Sequence, residues 1–361
     1  MAKAKRTIKR PKRAQLIEDL VEFLRRYVVM SPEQLTVVAL WIVHSYCVEA
    51  FEQTPYLAVT SPEKQCGKSR LLETLQILVR RPWFTILPSE AVLYRNIDKN
   101  SPTLLLDEVD TIFNPKTADR YEGHRAILNA GHRRGNKVPR CIGSSLKIVE
   151  FEAFCPKVLA GIGTLPDTIA DRSIPIRLER RRRDEMVERF LRRDVEPIGK
   201  LLRERLETWA EANAEALRDA RPSMPDELND RMQEGCEGLV AIADALGYGN
   251  AARRSLVEIL SVERQDTHES MRLRLLADLR SIFGDRDNPP GIATTRLLSD
   301  LHAIEEAPWG SYYGRVLEAR DLAGLLGHYG IGRTTIRTKR GEVKKGYKRD
   351  HLYEAWTRYL S

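Results

Sequence analysis

Two short stretches constrain this chain more than anything else in it: YLAVTSPEKQCGKS at residues 56–69 and TLLLDEVD at residues 103–110. The first reads as a strand running into a turn that closes on Gly67, Lys68 and Ser69, and the helical pattern SRLLETLQILV begins at once. Such a junction presents backbone N–H groups to an anionic phosphate, while a lysine reaches the outer oxygens and a hydroxyl meets Mg²⁺. Ser61, Pro62, Glu63, Lys64, Gln65, Cys66, Gly67, Lys68 and Ser69 are therefore the expected nucleotide-binding residues. The second stretch is an apolar strand ending in Asp107 and Glu108, carboxylates suited to a Mg²⁺ shell and to positioning a water. Asp107 follows Lys68 by 39 residues, room for one helix and one strand between them. The pair points to nucleotide hydrolysis, with Ser69 and Asp107 as the metal ligands.

The loop departs from the usual G-x-x-x-x-G-K-[ST] pattern. Its first glycine is Pro62, and Gln65 stands where related ATPases often carry another glycine. A surface turn capped by Ser69 is the competing reading of the tripeptide alone; the flanking strand, helix and acid-ended strand argue against it. Cys66 inside the loop is a small filler or a redox-sensitive thiol.

The net charge of +8 is unevenly spread over the 361 residues. Residues 1–13 hold seven Lys/Arg and no acid, and residues 331–351 hold eight against Glu342 and Asp350. Cations gathered in a tail and one C-terminal segment point to a polyanionic partner. The tail alone also reads as a solubilising arm. The longest apolar run, residues 37–43, is far short of the ~20 residues a membrane span needs. No apolar signal segment follows the basic start. The five cysteines lack metal-ligand spacing, which fits a reduced, cytoplasmic protein.

Along the chain, residues 1–13 read as a basic tail and 14–52 as a helical lead-in, with Ser31 and Gln34 capping its second helix. Residues 53–183 alternate strand and helix, with strands at 56–60, 83–87, 103–108, 157–163 and 173–178: an α/β core with a parallel sheet, whose ligands sit at the strands' carboxyl ends. Between the third and fourth strands lie a helix at 124–135 and a hairpin around residues 143–145, flanked by Arg140 and Lys147. Edge packing is the alternative use of that hairpin. Residues 184–284 are read as a helical lid, helical from 184 to 220. Residues 291–361 read as two helices, a basic hairpin within KRGEVKKGYKR and a closing helix that buries its aromatics on one face, a winged-helix plan. Arg333, Arg337, Lys339, Arg340, Lys344, Lys345 and Lys348 are its candidate DNA contacts. A winged helix used only for protein contact is the other reading.

On these residues the core resembles the AAA+ ATPases, with superfamily 3 and minichromosome-maintenance-type helicases as relatives. SPEKQCGKSRLLE, PTLLLDEVDTIF, AILNAGHRRG, FCPKVLAGIG, LPDTIADRSIPIRL and GYKRDHLYEAW resemble more closely an uncharacterised bacterial and prophage ATPase family, from about residue 28 to the end.

The AAA+ resemblance implies a sheet of order 5-1-4-3-2. It implies that Lys68 and Ser69 bind the β/γ phosphates and Mg²⁺, that Asp107 holds the Mg²⁺ shell, and that Glu108 polarises the attacking water. Thr164 takes the sensor-1 position, Arg172 the arginine finger acting in a neighbouring subunit, and Arg231 the sensor-2 position. Salt bridging within the chain is the alternative for Arg172, and a solvated helix position for Arg231. The hairpin at Arg140 and Lys147 falls where those helicases carry a DNA-contacting pore loop. The expectation is an ATP- and Mg²⁺-dependent, ring-forming, hexameric DNA helicase or translocase of mobile-element replication. The alternative is an ATP-switched DNA-binding regulator or defence ATPase. A small-molecule kinase accounts for neither the C-terminal plan nor Arg172.

Overall fold

The computed structural model describes residues 14–113, 119–142, 147–163, 165–304, 307–310, 312, 315–337 and 343–360. Two helices, α1 (Gln15–Tyr27) and α2 (Pro32–Cys47), open it. The Ser31 hydroxyl accepts from the Gln34 N–H and the Gln34 side chain accepts from the Ser31 N–H, a reciprocal cap that fixes where α2 starts. Residues 37–43 of α2 are fully buried, the only solution for a helix apolar on every side.

The next elements are β1 (Tyr56–Ser61), α3 (Lys68–Leu78), β2 (Pro82–Ile86), α4 (Glu90–Asn100), β3 (Thr103–Asp107), α5 (Asp110–Phe113) and α6 (Glu122–Ala130). They are followed by β4 (Lys137–Ile142), β5 (Lys147–Glu152), β6 (Lys157–Ile162), α7 (Asp167–Ala170) and β7 (Ser173–Arg177). Five strands form a parallel sheet in the order β2-β3-β6-β1-β7. Strands β1, β3 and β6 are buried along nearly their whole length, as strands covered on both faces are. Leu57, Val59, Leu105 and Val158 join a core with α1, α2 and α3, whereas Leu104, Leu106 and Leu159 join one with Leu93, Ile97, Ile127 and Leu128 of α4 and α6. Because β6 lies between β1 and β3, the loop after β1 and the acids ending β3 meet across an intervening strand. Strands β4 and β5 pair antiparallel, and the turn expected at residues 143–145 lies outside the described residues.

Three long helices follow: α8 (Arg192–Arg218), α9 (Asp230–Ala245) and α10 (Gly249–Gly284). The helix expected from residue 184 starts only at Arg192, and tertiary contacts explain the delay. The Glu188 N–H donates to the Arg26 carbonyl at 2.7 Å, and its carboxylate accepts from the Arg26 guanidinium at 2.9 and 2.8 Å. Arg70 lies 4.7 Å from the Phe190 ring centre. A segment pinned that way cannot give its N–H groups to a helical ladder.

The chain divides into two compact units within α10, one through Ser261 and one from Val262. The second contains β8 (Gly291–Ala293), α11 (Thr294–His302), α12 (Ala319–Gly327), β9 (Thr334–Arg337), β10 (Val343–Lys348) and α13 (Arg349–Tyr359). Its sheet has the order β8-β10-β9, around a core that includes Phe283, Leu297, Trp309, Leu322, Tyr347 and Trp356. The three residues of β8 carry no strand signal in sequence. The hairpin expected within residues 339–349 instead takes its first strand from residues 334–337. In α13, Trp356 is buried but Tyr353 and Tyr359 are 58% and 52% exposed, against the expectation of one buried aromatic face. Residues three apart drift by ~60° each step, so three aromatics so spaced cannot share a narrow stripe. Among the described residues no single helix is long and apolar enough to cross a membrane.

Candidate functional site

The loop from Ser61 to Ser69 leaves the carboxyl end of β1 and closes on the first turn of α3. Residues 63–67 donate no backbone hydrogen bond within the described structure, so five consecutive N–H groups stand open at a helix start. Two residues take left-handed backbone, Gln65 (φ 66°) and Gly67 (φ 93°). The conformation that invites glycine is thus present at Gln65, although the residue is not glycine. The Lys68 ammonium folds back onto its own loop, donating to Ser61 Oγ at 2.5 Å and the Glu63 carbonyl at 3.3 Å. Ser61 Oγ in turn donates to the Glu63 carbonyl at 2.6 Å. Cys66 is buried, with Sγ 3.7 Å from the Lys64 carbonyl, the environment of a filler.

Across β6, Asp107 ends β3 with its carboxylate nearly buried. Ser69 Oγ donates to Asp107 Oδ2 at 3.3 Å, and the Glu108 N–H donates to Asp107 Oδ1 at 2.9 Å. Glu108 is exposed and holds φ 60°, a left-handed conformation costly for a residue with a Cβ. Asp110 fastens this turn to β6 through the Ile162 N–H at 3.2 Å. A serine hydroxyl and a carboxylate already within hydrogen-bond reach are oxygen donors of the kind Mg²⁺ takes, so these residues fit that ion. Thr164, expected beside them, lies outside the described residues.

Arg172 and Arg231 lie elsewhere. Arg172 immediately precedes β7, whose first residue, Ser173, pairs with Tyr56 at the amino end of β1. At ~3.3 Å per residue the strand separates that end from the loop by roughly 16 Å. Arg172 donates to Asn129 Oδ1 at 3.4 Å and to the Thr168 carbonyl, while its buried Nε has no partner among the described residues. Arg231 pairs with Asp171 at 2.5 Å. Both arginines line a cavity of about 500 Å³ with His132 and the exposed Arg133. Burial, with Arg172 adding to it, pushes the His132 pKa down to about 4. The loop and these two arginines, expected around one nucleotide, are therefore at opposite ends of the sheet in a single chain.

On the hairpin, Arg140 is not presented outward. Its guanidinium is ion-paired with Glu90 of α4, donates to the Pro139 carbonyl at 2.8 Å, and lies 6.0 Å from the Tyr94 ring centre. The β4 side chain meets the acid that begins α4, so Arg140, expected as a free cation of the hairpin, is engaged within the chain. Lys147 is exposed and without a partner among the described residues. In the second unit Arg333, Arg337, Lys344, Lys345 and Lys348 are exposed, and Lys345 Nζ donates to Thr335 Oγ1 at 3.1 Å. Lys339 and Arg340 lie outside the described residues.

The sequence pattern gave no role to Lys157, which is fully buried at the start of β6. Its ammonium donates to the carbonyls of Gly131, Ala153 and Cys155 at 3.0, 2.8 and 3.0 Å and stands 5.0 Å from the Tyr56 ring centre. It ties the residues entering and leaving the hairpin to the sheet. A lysine opening the otherwise apolar KVLAGI was the available signal.

A family described as "Protein of unknown function (DUF3631)" matches residues 177–359, half of the chain. The chain is 38% identical over 160 residues to an "Uncharacterized 28.9 kDa protein in xis 5'region" of Saccharopolyspora erythraea, covering 44% of this chain and 59% of that protein. It therefore spans about three fifths of that relative's length. Two solved apo structures of the NrS-1 C-terminal region align over 96% of this chain and 77% of theirs, at 12% identity and TM-scores of 0.34 and 0.35.

Proposed function

The chain belongs to the DUF3631 family, and we propose that it is an ATP-hydrolysing, ring-forming DNA motor, a helicase or translocase of mobile-element replication in the cytoplasm. The observation that carries the reading is the Ser69–Asp107 contact at 3.3 Å, made beside five open loop N–H groups. In this reading the loop and Lys68 bind the triphosphate. Ser69 and Asp107 hold Mg²⁺, which when bound supplies positive charge to the phosphates. Glu108 takes the proton of the attacking water and Thr164 orients it.

The location of Arg172 and Arg231, at the far end of the sheet from their own loop, supports a role toward the nucleotide of an adjacent copy. That requires a ring, here taken as a hexamer. A guanidinium delivered in this way stabilises charge on the transferring phosphate. DNA contact falls to the exposed cations of the second unit and to Lys147. The order of the second unit, a helix followed by β8, α11, α12, β9, β10 and α13, supports a winged helix. The place named for the relative, the 5′ region of xis, fits a mobile element.

A second reading, an ATP-switched DNA-binding regulator or defence ATPase, is favoured by Arg140. With that guanidinium on Glu90, the hairpin offers one free cation fewer for tracking a strand. Strand displacement on a forked duplex, with ATP turnover followed in the same reaction, separates the two. Displacement coupled to turnover supports the motor; DNA binding with turnover but no displacement on any fork supports the regulator.

A further inference from the structure

We propose that Arg133 is a phosphate-binding cation that this chain presents, together with Arg172, to the nucleotide of an adjacent copy; this rests on the ring reading above. Arg133 lines the cavity that holds Arg172 and Arg231, is exposed, and its guanidinium has no hydrogen-bond or ion-pair partner among the described residues. Its neighbour Arg134 is engaged on every side. It donates to the carbonyls of Phe51 at 3.2 Å and Val48 at 3.0 Å, pairs with Glu49 at 3.2 Å, and lies 4.5 Å from the Phe154 ring centre. Of two adjacent arginines, one anchors the turn and the other is left open. The backbone beneath the open one is fixed. The Thr54 N–H donates to the His132 carbonyl at 2.9 Å and the Arg134 N–H to the Glu52 carbonyl at 2.8 Å, around the bridge between Gln53 and Arg133. Lys157 Nζ donates to the Gly131 carbonyl at 3.0 Å, and a Cβ on Gly131 would come within 2.3 Å of that ammonium. Asn129 joins the turn to Arg172: its carbonyl is 3.0 Å from His132 Nδ1, and its Oδ1 accepts from Arg172 at 3.4 Å.

The surroundings of this turn are electropositive. His132 is kept uncharged there, its pKa brought down to about 4 by burial first and then by Arg172, Lys157 and Arg133. The acids that line the cavity compensate only in part. Asp171 is paired with Arg231, and Glu234 accepts from the Gln53 amide at 2.8 Å, which leaves Asp230 as the lining acid without a partner among the described residues. Arg133 and the buried Nε of Arg172 thus offer open guanidinium donors from two residues against one open carboxylate. Forked N–H donors match phosphate oxygens, and a fork on a fixed backbone loses little freedom when it closes on them.

Steady-state ATP turnover by the full chain tests this, with equilibrium ATP binding and thermal melting of each variant alongside. Arg133→Ala should keep ATP affinity within about twofold, because its own phosphate loop is intact, and should melt with the wild type, because the side chain has no contact to lose. Turnover should fall on the order of 10²-fold, as for the loss of one donor to a transition-state oxygen. Arg133→Lys, which keeps the charge without the fork, should recover part of it. Mixing Arg133→Ala with Lys68→Ala protein should restore activity, as mixing Arg172→Ala with Lys68→Ala should. Mixing Arg133→Ala with Arg172→Ala should not, since both lesions lie on the same side of the interface; rescue there overturns the inference. Where Lys68→Ala protein rescues Arg172→Ala, wild-type turnover by Arg133→Ala, or a loss that the same mixing leaves unrescued, overturns the role of Arg133 alone. No rescue of Arg172→Ala at any mixing ratio, or no turnover by the wild type, overturns the ring reading and this inference with it.

Discussion

Ser69, on the first turn of α3, donates its hydroxyl to Asp107 Oδ2 at 3.3 Å, although β6 separates the strands that lead to the two residues. Register explains the meeting. Strands β1, β6 and β3 run parallel, with Leu57 opposite Val158 and Val158 opposite Leu105, so their carboxyl ends emerge side by side. Asp107→Asn keeps the shape and one of the two accepted hydrogen bonds, but halves the oxygen donors and removes the charge. Mg²⁺-dependent ATP binding should weaken by at least tenfold while binding of Mg²⁺-free ADP changes little. Titration calorimetry with and without Mg²⁺ checks this; equal losses in both conditions would remove Asp107 from the metal site.

Arg172 should act across a boundary between copies. Arg172→Ala should leave ATP affinity within about twofold and lower turnover by on the order of 10³-fold. Mixing Arg172→Ala with Lys68→Ala protein should restore part of the activity, since one kind of interface then has both working halves. No restoration at any mixing ratio would leave Arg172 with a role inside its own chain.

What the sequence made legible follows from how local each signal is. The strands of the parallel sheet stood out because short apolar runs between helices have few other interpretations, and β1 and β3 are buried on nearly every residue. The loop was visible because glycine, lysine and serine at a strand–helix junction form a local pattern. Residues whose neighbours are distant in sequence were not legible. Arg140 looked like a free hairpin cation because nothing near it in sequence hinted at Glu90, 50 residues earlier. Residues 184–191 looked helical because their Glu/Arg content favours helix, yet Arg26, 162 residues away from Glu188, captures the backbone. β8 is too short to signal itself and exists because β10 offers an edge.

DNA binding should depend on the exposed cations of the second unit. Replacing Arg333, Arg337, Lys344 and Lys345 together with alanine should weaken binding to unrelated sequences alike. The slope of log affinity against log salt should flatten by up to ~0.9 for each phosphate that is no longer neutralised. An unchanged slope by fluorescence anisotropy would move the DNA-binding cations elsewhere, first to residues 1–13.

Acid should destabilise the first unit through His44. That imidazole is fully buried, shares a 3.0 Å hydrogen bond with Thr54 Oγ1, and has no partner for Nδ1 among the described residues. Burial pushes its pKa from 6.5 down to about 3. The unfolded chain therefore takes up a proton below pH 6.5 that the folded chain refuses until about pH 3. Stability present above pH 6.5 is lost as pH falls, by about 3 kcal/mol at pH 4.5 from this group. Melting temperature followed from pH 7 to 4.5 should fall less steeply in His44→Gln than in wild type; parallel curves would assign the acid sensitivity to other groups.

In the proposed motor Glu108 activates water for ATP hydrolysis, and single-turnover phosphate release with bound-nucleotide analysis measures that step. Glu108 is exposed at the end of β3, its backbone held at φ 60° and its N–H fixed by Asp107. Glu108→Gln keeps that geometry and cannot take the proton. Wild-type protein should release phosphate from Mg²⁺–ATP, and Glu108→Gln should hold ATP unhydrolysed with turnover reduced by on the order of 10²-fold or more. Turnover by Glu108→Gln at the wild-type rate would take water activation away from Glu108, and none by the wild type with or without DNA would exclude ATP hydrolysis by this chain.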